Sequence, residues 1–262
     1  MVVPLRLALR FAQYRLRSFR LHGIHSPFVF NLEQTVIRHK GMFHPFLLIE
    51  DLRSTLLEDD REITIKDFGA GSRTNPKRTR KVRGIARHSA KPKKYAQLLF
   101  RLVNHFAPET IFDLGTSLGL TTAYLASARR NATVYTFEGC PETAKIAREN
   151  FGQLKLGNVQ VIEGNLDETL SETLKKVEKV DLVFFDGNHR YEPTMRYFRQ
   201  CLAKATEDSV FILDDIYWSP EMERAWKEIS AMPEVTVSLD LFQIGIVFFR
   251  KSQKKEYFTI WY

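Results

Sequence analysis

The sequence predicts an α/β fold, a parallel sheet with helices on both faces, and three observations carry that reading. Apolar-rich strand patterns recur at TIFDLG (110–115), TVYTFE (133–138), VQVIEG (159–164), VDLVFFD (180–186) and SVFILDD (209–215). Helical patterns fill the intervals at 120–129, 141–151, 166–177 and 192–204, and this alternation is the signature of parallel strands covered on both faces. At 262 residues and 44% hydrophobic, the chain is long enough for one such domain with an extension.

The first 60 residues read as helical. Leu5, Leu9, Ala12, Leu16 and Phe19 fall near helical spacing, with the arginines largely on other faces. In HGIHSPFVF, Ser26 is placed to cap and Pro27 to open a second helix running through Val36. EITIKDFG (62–69) reads as a strand, and the basic stretch 73–94 as a loop with few apolar anchors. Tyr95, Leu98, Leu99, Leu102, Val103 and Phe106 then form the stripe of an amphipathic helix. Beyond the regular region, Ser219 caps and Pro220 opens another helix, and VTVSLDL (235–241) and FQIGIVFFR (242–250) suit an antiparallel pair at the sheet edge.

Charge divides the chain. Residues 73–94 carry ten Lys or Arg and no acid, and residues 1–30 add Arg6, Arg10, Arg15, Arg17 and Arg20, again without an acid. The net charge is +8, so the remainder is net negative and the basicity belongs to the front third. That asymmetry points to an anionic partner: nucleic acid, a membrane surface or an acidic substrate. The apolar runs are too short for a membrane-spanning helix. The N-terminal stretch lacks the continuous apolar run of a secretory signal, although its arginines without acids are also a transit-peptide trait. Two cysteines, Cys140 and Cys201, in no CxxC pattern, fit a reducing cytoplasm and exclude a disulfide scaffold or a cysteine-based zinc site.

Two stretches compete as a ligand loop, KDFGAGS (66–72) and FDLGTSLG (112–119). A nucleoside-binding loop follows a buried strand, opens a helix, and is followed by a strand ending in an acid for the ribose hydroxyls. The second stretch meets all three conditions, with TTAYLASA as the helix and Glu138 as the acid. The first is followed by a Pro- and Arg-rich segment and reads as a strand ending in a turn. The spacing Gly115-x-x-x-Gly119 is not the G-x-G-x-x-G that admits a pyrophosphate, and Asp113 would repel one. A cofactor with an ammonium, a ribose and no phosphate fits better, which is S-adenosylmethionine.

Residues 89–250 resemble a class I S-adenosylmethionine-dependent methyltransferase, nearest the catechol-type and macrolide-sugar O-methyltransferases. The stretches that carry the resemblance, in family order, are SAKPKKYAQLL, DLGTSLGLTT, FEGCPETAKIAREN, EGNLDETL, FFDGNHRY and ILDDIYW. It implies a Rossmann-like, doubly wound seven-stranded sheet with strand 7 antiparallel. It also implies that Asp113 and Gly115 line the methionine end, with Ser117 and Gly119 in the same loop, that Thr121 reaches the carboxylate, that Glu138 holds the ribose and that Asn165 and Leu166 border the adenine. Residues 1–88 then stand as a helical and basic cap region before a methyltransferase domain at 89–262.

Asp186, in DGNH (186–189), and Asp214 with Asp215 end consecutive strands, where ligands bind in a doubly wound sheet. Three carboxylates make a hard oxygen site for Mg²⁺ or a similar divalent metal, and a metal there would lower the pKa of an acceptor hydroxyl. In the resembling enzymes the same positions hold the metal, and Asp186 also borders the cofactor. His189 stands where those enzymes place a catalytic base; a purely structural reading makes Asp186 and His189 turn caps. Tyr217 and Trp218 read either as walls of a substrate pocket or as core. His22 and His25 have helical spacing but no acid or cysteine beside them, and Cys140 reads as packing.

The function expected is methylation of a hydroxyl on a small or lipid-linked acceptor, with anionic character matching the basic front end. The stretch 73–94 reads as a lid over such an acceptor or as a solvated surface, and residues 1–21 as a peripheral membrane contact. A nucleic-acid 2′-O-methyltransferase gripping phosphates with the front end is the less favoured partner reading. A noncatalytic module that keeps the cofactor fold is the other class. A polyamine-synthase reading lacks its Gly-Gly-Gly-Asp-Gly loop.

Overall fold

A computed structural model of the chain describes residues 5–18, 23–66 and 79–262. The chain begins with α1 (Leu5–Arg17), α2 (Pro27–Leu32) ending in a π-helical turn (Glu33–Ile37), and α3 (His44–Glu58). A short hairpin of β1 (Glu62–Thr64) and β2 (Thr79–Lys81) precedes α4 (Val82–Ser89) and α5 (Lys93–Phe106). Then β3 (Thr110–Leu114), α6 (Leu120–Ala128), β4 (Thr133–Glu138), α7 (Pro141–Gln153), β5 (Val159–Glu163) and α8 (Leu166–Leu174) alternate. The alternation continues through β6 (Leu182–Phe185), α9 (Tyr191–Leu202), β7 (Val210–Asp214), α10 (Pro220–Ala231), β8 (Val237–Asp240), β9 (Ile244–Phe248) and β10 (Glu256–Thr259).

The chain forms two compact units, one of residues 40–178 and one of residues 1–39 with 179–262. In the first, β3, β4 and β5 pair in parallel, Thr110 opposite Thr133 and Val134 opposite Val159. Their helices explain the fit: α5 buries Leu98, Leu99, Leu102 and Val103 completely, the stripe that its spacing predicts. Phe46 of α3 meets Phe100 of α5 edge to face at 4.9 Å, and the α6 ring of Tyr124 lies 5.6 Å from it.

In the second unit the strand order is β10-β8-β9-β7-β6. β6 and β7 pair in parallel, and β9 runs antiparallel to both β7 and β8. An aromatic cluster fills this core, with Phe198 of α9 edge to face on Phe211 of β7 at 5.5 Å. Gly245 of β9 is required here, since a Cβ on it would lie 2.5 Å from the Trp226 indole.

The fold class is as the sequence predicts, α/β with mainly parallel strands and intervening helices. Three details differ. A further strand, β10, pairs in parallel with β8, so the antiparallel pair of β8 and β9 is not the sheet edge. The described part of the basic stretch is not a loop but β2, α4 and the start of α5, anchored by buried Val82, Ile85 and Ala86. Ser26 precedes Pro27 in extended conformation, but its side chain makes no capping bond. Ser219, by contrast, accepts from the Met222 amide at 3.1 Å as expected. The glycines of KDFGAGS, with the stretch 73–78 and His22, lie outside the described residues.

The basic front end is partly neutralised within its own unit. Lys81 and Arg83 pair with Asp60, and Lys93 with Glu50, at 2.8, 3.1 and 2.9 Å. Arg6 and Arg10 of α1 both reach Glu223 of α10.

Candidate active site

Within residues 40–178, the segment after β3 is stitched to β4 by its own polar groups. The Thr116 amide donates to the Phe137 carbonyl at 3.0 Å, and the Ser117 amide to Glu138 Oε2 at 2.8 Å. Glu138 Oε1 accepts from the Cys140 amide at 2.9 Å, so this carboxylate ties the loop to the end of β4. Gly115 and Gly119 have φ of 134° and 80°, the region where a side chain is strained. Gly119 has a second reason: a Cβ would lie 2.6 Å from the Phe151 ring of α7. Ser117 also takes a left-handed φ of 49°.

Asp113 lies beneath this loop, fully buried. Its Oδ2 accepts from Thr122 at 2.6 Å and Thr136 at 2.9 Å, while Oδ1 is buried without a hydrogen-bond partner among the described residues. Burial pushes its pKa up to about 6, against the two threonine donors, with the Glu138 charge adding to the rise. The sequence reading missed both threonines, since neither carries a motif; only their packing beside Asp113 marks them. Thr121, at the start of α6, is buried. At the end of β5, the Gly164 amide donates to the Glu138 carbonyl at 3.0 Å, which brings Asn165 next to Glu138. Asn165 caps α8, accepting from the Asp167 amide at 3.1 Å, and Leu166 opens that helix.

Within the other unit, the strand ends of β6 and β7 bring three groups together. Ligand atoms of Asp186, His189 and Asp214 all lie within 4.8 Å of one another, with Asp214 buried. His189 Nε2 stands 3.5 Å from Asp186 Oδ1. Asn188, between them, has a left-handed φ of 51° and a buried Oδ1 without a hydrogen-bond partner among the described residues. Two carboxylates and an imidazole at these separations suit a divalent cation. Asp215 is not among the converging groups; it sits at φ 52°, where the chain turns away from β7.

Tyr217 belongs to a different network. Its hydroxyl donates to Asp240 Oδ2 at 2.6 Å, Tyr257 donates to the same oxygen at 3.1 Å, and the Phe242 amide donates to Oδ1 at 2.9 Å. Burial raises the Asp240 pKa and these donors oppose it. The Tyr217 ring stacks on Phe242 at 5.5 Å, while Trp218 is half exposed. Cys140 is buried against β1, its thiol donating to the Thr64 carbonyl at 3.3 Å, and both cysteines are free.

Residues 112–216 match the model of a methyltransferase domain. The chain carries a methyltransferase domain. The match begins in β3 and ends just past β7, so it takes in both groups of residues described above. No curated protein matches the methyltransferase in sequence. Among solved structures it is similar to a candidate O-methyltransferase from Klebsiella pneumoniae, at 16% identity and a TM-score of 0.59 over 85% of this chain and 95% of that one. It is also similar to an O-methyltransferase from Bacillus cereus in complex with S-adenosylhomocysteine, at 18% identity and a TM-score of 0.57 over 83% and 94%. A third likeness is to the Podospora anserina methyltransferase PaMTH1 bound to S-adenosylhomocysteine, at 14% identity and a TM-score of 0.58 over 96% and 99%. At these identities the likeness is one of fold. Among the described residues no helix is long and apolar enough to cross a membrane.

Proposed function

We propose that the methyltransferase transfers a methyl group to a hydroxyl oxygen of a small or lipid-linked acceptor, assisted by a divalent cation. The observation that carries this reading is the convergence of Asp186, His189 and Asp214 within 4.8 Å in a chain whose cofactor loop is already built. The catalytic part is residues 89–262, with 1–88 as an appended cap region.

The residues fit the cofactor. Glu138 is a carboxylate acceptor at the end of β4, the kind of group suited to two ribose hydroxyls. Asp113 Oδ1, buried without a donor among the described residues, suits the positive end of a ligand with an ammonium. Gly115, Ser117, Gly119 and Thr121 shape the loop for the methionine end, and Asn165 and Leu166 border the adenine. S-adenosylmethionine, when bound, supplies an electrophilic methyl on a sulfonium sulfur. A divalent cation, when bound, lowers the pKa of the acceptor hydroxyl; Asp186 and Asp214 are its ligands, with Asp215 a third only after its side chain reorients.

His189 takes the proton. During transfer of the methyl, the acceptor's hydroxyl proton would leave to the imidazole. Asp186, 3.5 Å from Nε2, holds the ring and stabilises the imidazolium. The test is transfer of labelled methyl to a panel of vicinal diols, with Mg²⁺ or with chelator. The reading expects label in an ether, reduced by chelator and abolished in Asp186→Ala. Equal transfer in all three conditions would remove the cation from the mechanism, and label recovered only on nitrogen would remove the hydroxyl acceptor.

A further inference from the structure

We propose that the outward face of α1 seats on an anionic lipid surface. The helix is docked with its apolar stripe turned away from the protein. At 3.6 residues per turn, Leu5, Leu9, Ala12 and Leu16 fall within an arc of about 60°. Leu5 is 77% exposed, Leu9 57% and Leu16 87%.

The opposite face fixes this rotation. Tyr14, the one buried residue of the helix, donates its hydroxyl to the Ile260 carbonyl and accepts from the Tyr262 amide. Arg6 and Arg10 both bind Glu223, and the Phe11 ring meets Phe242 edge to face at 5.0 Å. An amphipathic helix on a globular core ordinarily buries its leucines and exposes its arginines. Here two arginines and a tyrosine hold the helix to the protein, and the leucines are left for something else.

Charge selects the occupant. The exposed stripe is flanked by Arg15, which lies over the Trp261 ring, and by exposed Arg17, and the helix sequence LRLALRFAQYRLR contains no acid. A leucine stripe between arginines is the pattern of a helix lying in the plane of an anionic bilayer surface. A second copy fits less well. Its own α1, which carries arginines and no acid, would bring arginines against arginines.

The test is co-sedimentation of the full chain with vesicles of phosphatidylcholine alone and of phosphatidylcholine mixed with phosphatidylglycerol, alongside light scattering of the free protein. The chain is expected to sediment with the anionic vesicles, to be released by salt, and to bind neutral ones weakly. Leu9→Ser with Leu16→Ser is expected to lower the bound fraction roughly tenfold or more with the thermal melt unchanged. If that pair fails to fold, Leu16→Ser alone and Arg17→Gln each keep the test open, since both positions are exposed. No sedimentation with anionic vesicles, or binding indifferent to all three variants, would overturn the proposal. So would a dimer in light scattering that the leucine variants dissolve, which would assign the face to a second copy. Binding of S-adenosylhomocysteine is independent of every one of these outcomes.

Discussion

The loop after β3 and the strand ends of β6 and β7 are built on opposite plans. The first is closed on itself: the loop amides of Thr116 and Ser117 are taken up by Phe137 and Glu138, and Asp113 Oδ2 is satisfied by two threonines. The second brings Asp186, His189 and Asp214 within 4.8 Å and leaves Asn188 Oδ1 buried without a donor among the described residues. A prebuilt loop presents one shape to one cofactor at little ordering cost. Two carboxylates and an imidazole, by contrast, form a donor set suited to a divalent cation. Under the proposed function, the comparison predicts that affinity for the cofactor and chemistry on the acceptor are separable.

The largest expected effect tests that separation. His189→Ala is expected to lower the rate of methyl transfer by about 10²–10⁴-fold while leaving the S-adenosylhomocysteine affinity within a factor of about three. Parallel losses of rate and affinity would couple the two regions and break the comparison.

Next is the loop itself. Gly119→Ala places a Cβ 2.6 Å from the Phe151 ring at a φ of 80°, combining backbone strain with overpacking. Urea unfolding is expected to show a loss of about 2–4 kcal/mol. Phe151→Leu in the same chain is expected to return part of it; no recovery would place the cost in the backbone alone.

Asp113 gives the loop a pH dependence. Its pKa rises on folding from 3.8 to about 6, so the native state holds the proton more tightly than the unfolded chain. Its contribution is therefore fully present below pH 3.8 and is lost as pH rises through about 6. Across that window wild type is expected to lose up to about 3 kcal/mol relative to Asp113→Asn, read from unfolding midpoints of the cofactor-free proteins. A difference independent of pH would mean that the buried carboxyl does not titrate there.

The smallest effect lies away from both regions. Tyr217→Phe removes one of three donors to Asp240 and is expected to cost about 1 kcal/mol with transfer unchanged. A marked loss of transfer would return Tyr217 to a pocket wall.

Much of this was legible because parallel strands leave a strong local pattern. The apolar runs locate β3 to β7 to within a residue or two, and the Gly-rich loop lies between β3 and α6 with Glu138 at the end of β4, where the spacing puts them. What was not legible depends on distant partners. The facing of α1 is set by Glu223 and Ile260, more than two hundred residues away, and the spacing of its leucines says nothing about which side meets the protein. In α4 the buried Val82, Ile85 and Ala86 are interleaved with Arg83, Arg87 and His88, which hides an eight-residue helix. The strand β10 is four residues long, too short for an alternation to register. The absence of Asp215 from the converging groups follows from the left-handed turn at that residue, a conformation that adjacent acids do not announce.

The most direct test of the account is a calorimetric titration of S-adenosylhomocysteine into the wild-type chain and a Glu138→Ala variant. Saturable binding by the wild type, lost in the variant while the fold persists by circular dichroism, is the predicted result. A folded wild-type protein that takes up no ligand, or a variant that binds as well as wild type, would contradict the assignment of the loop after β3 as the cofactor site.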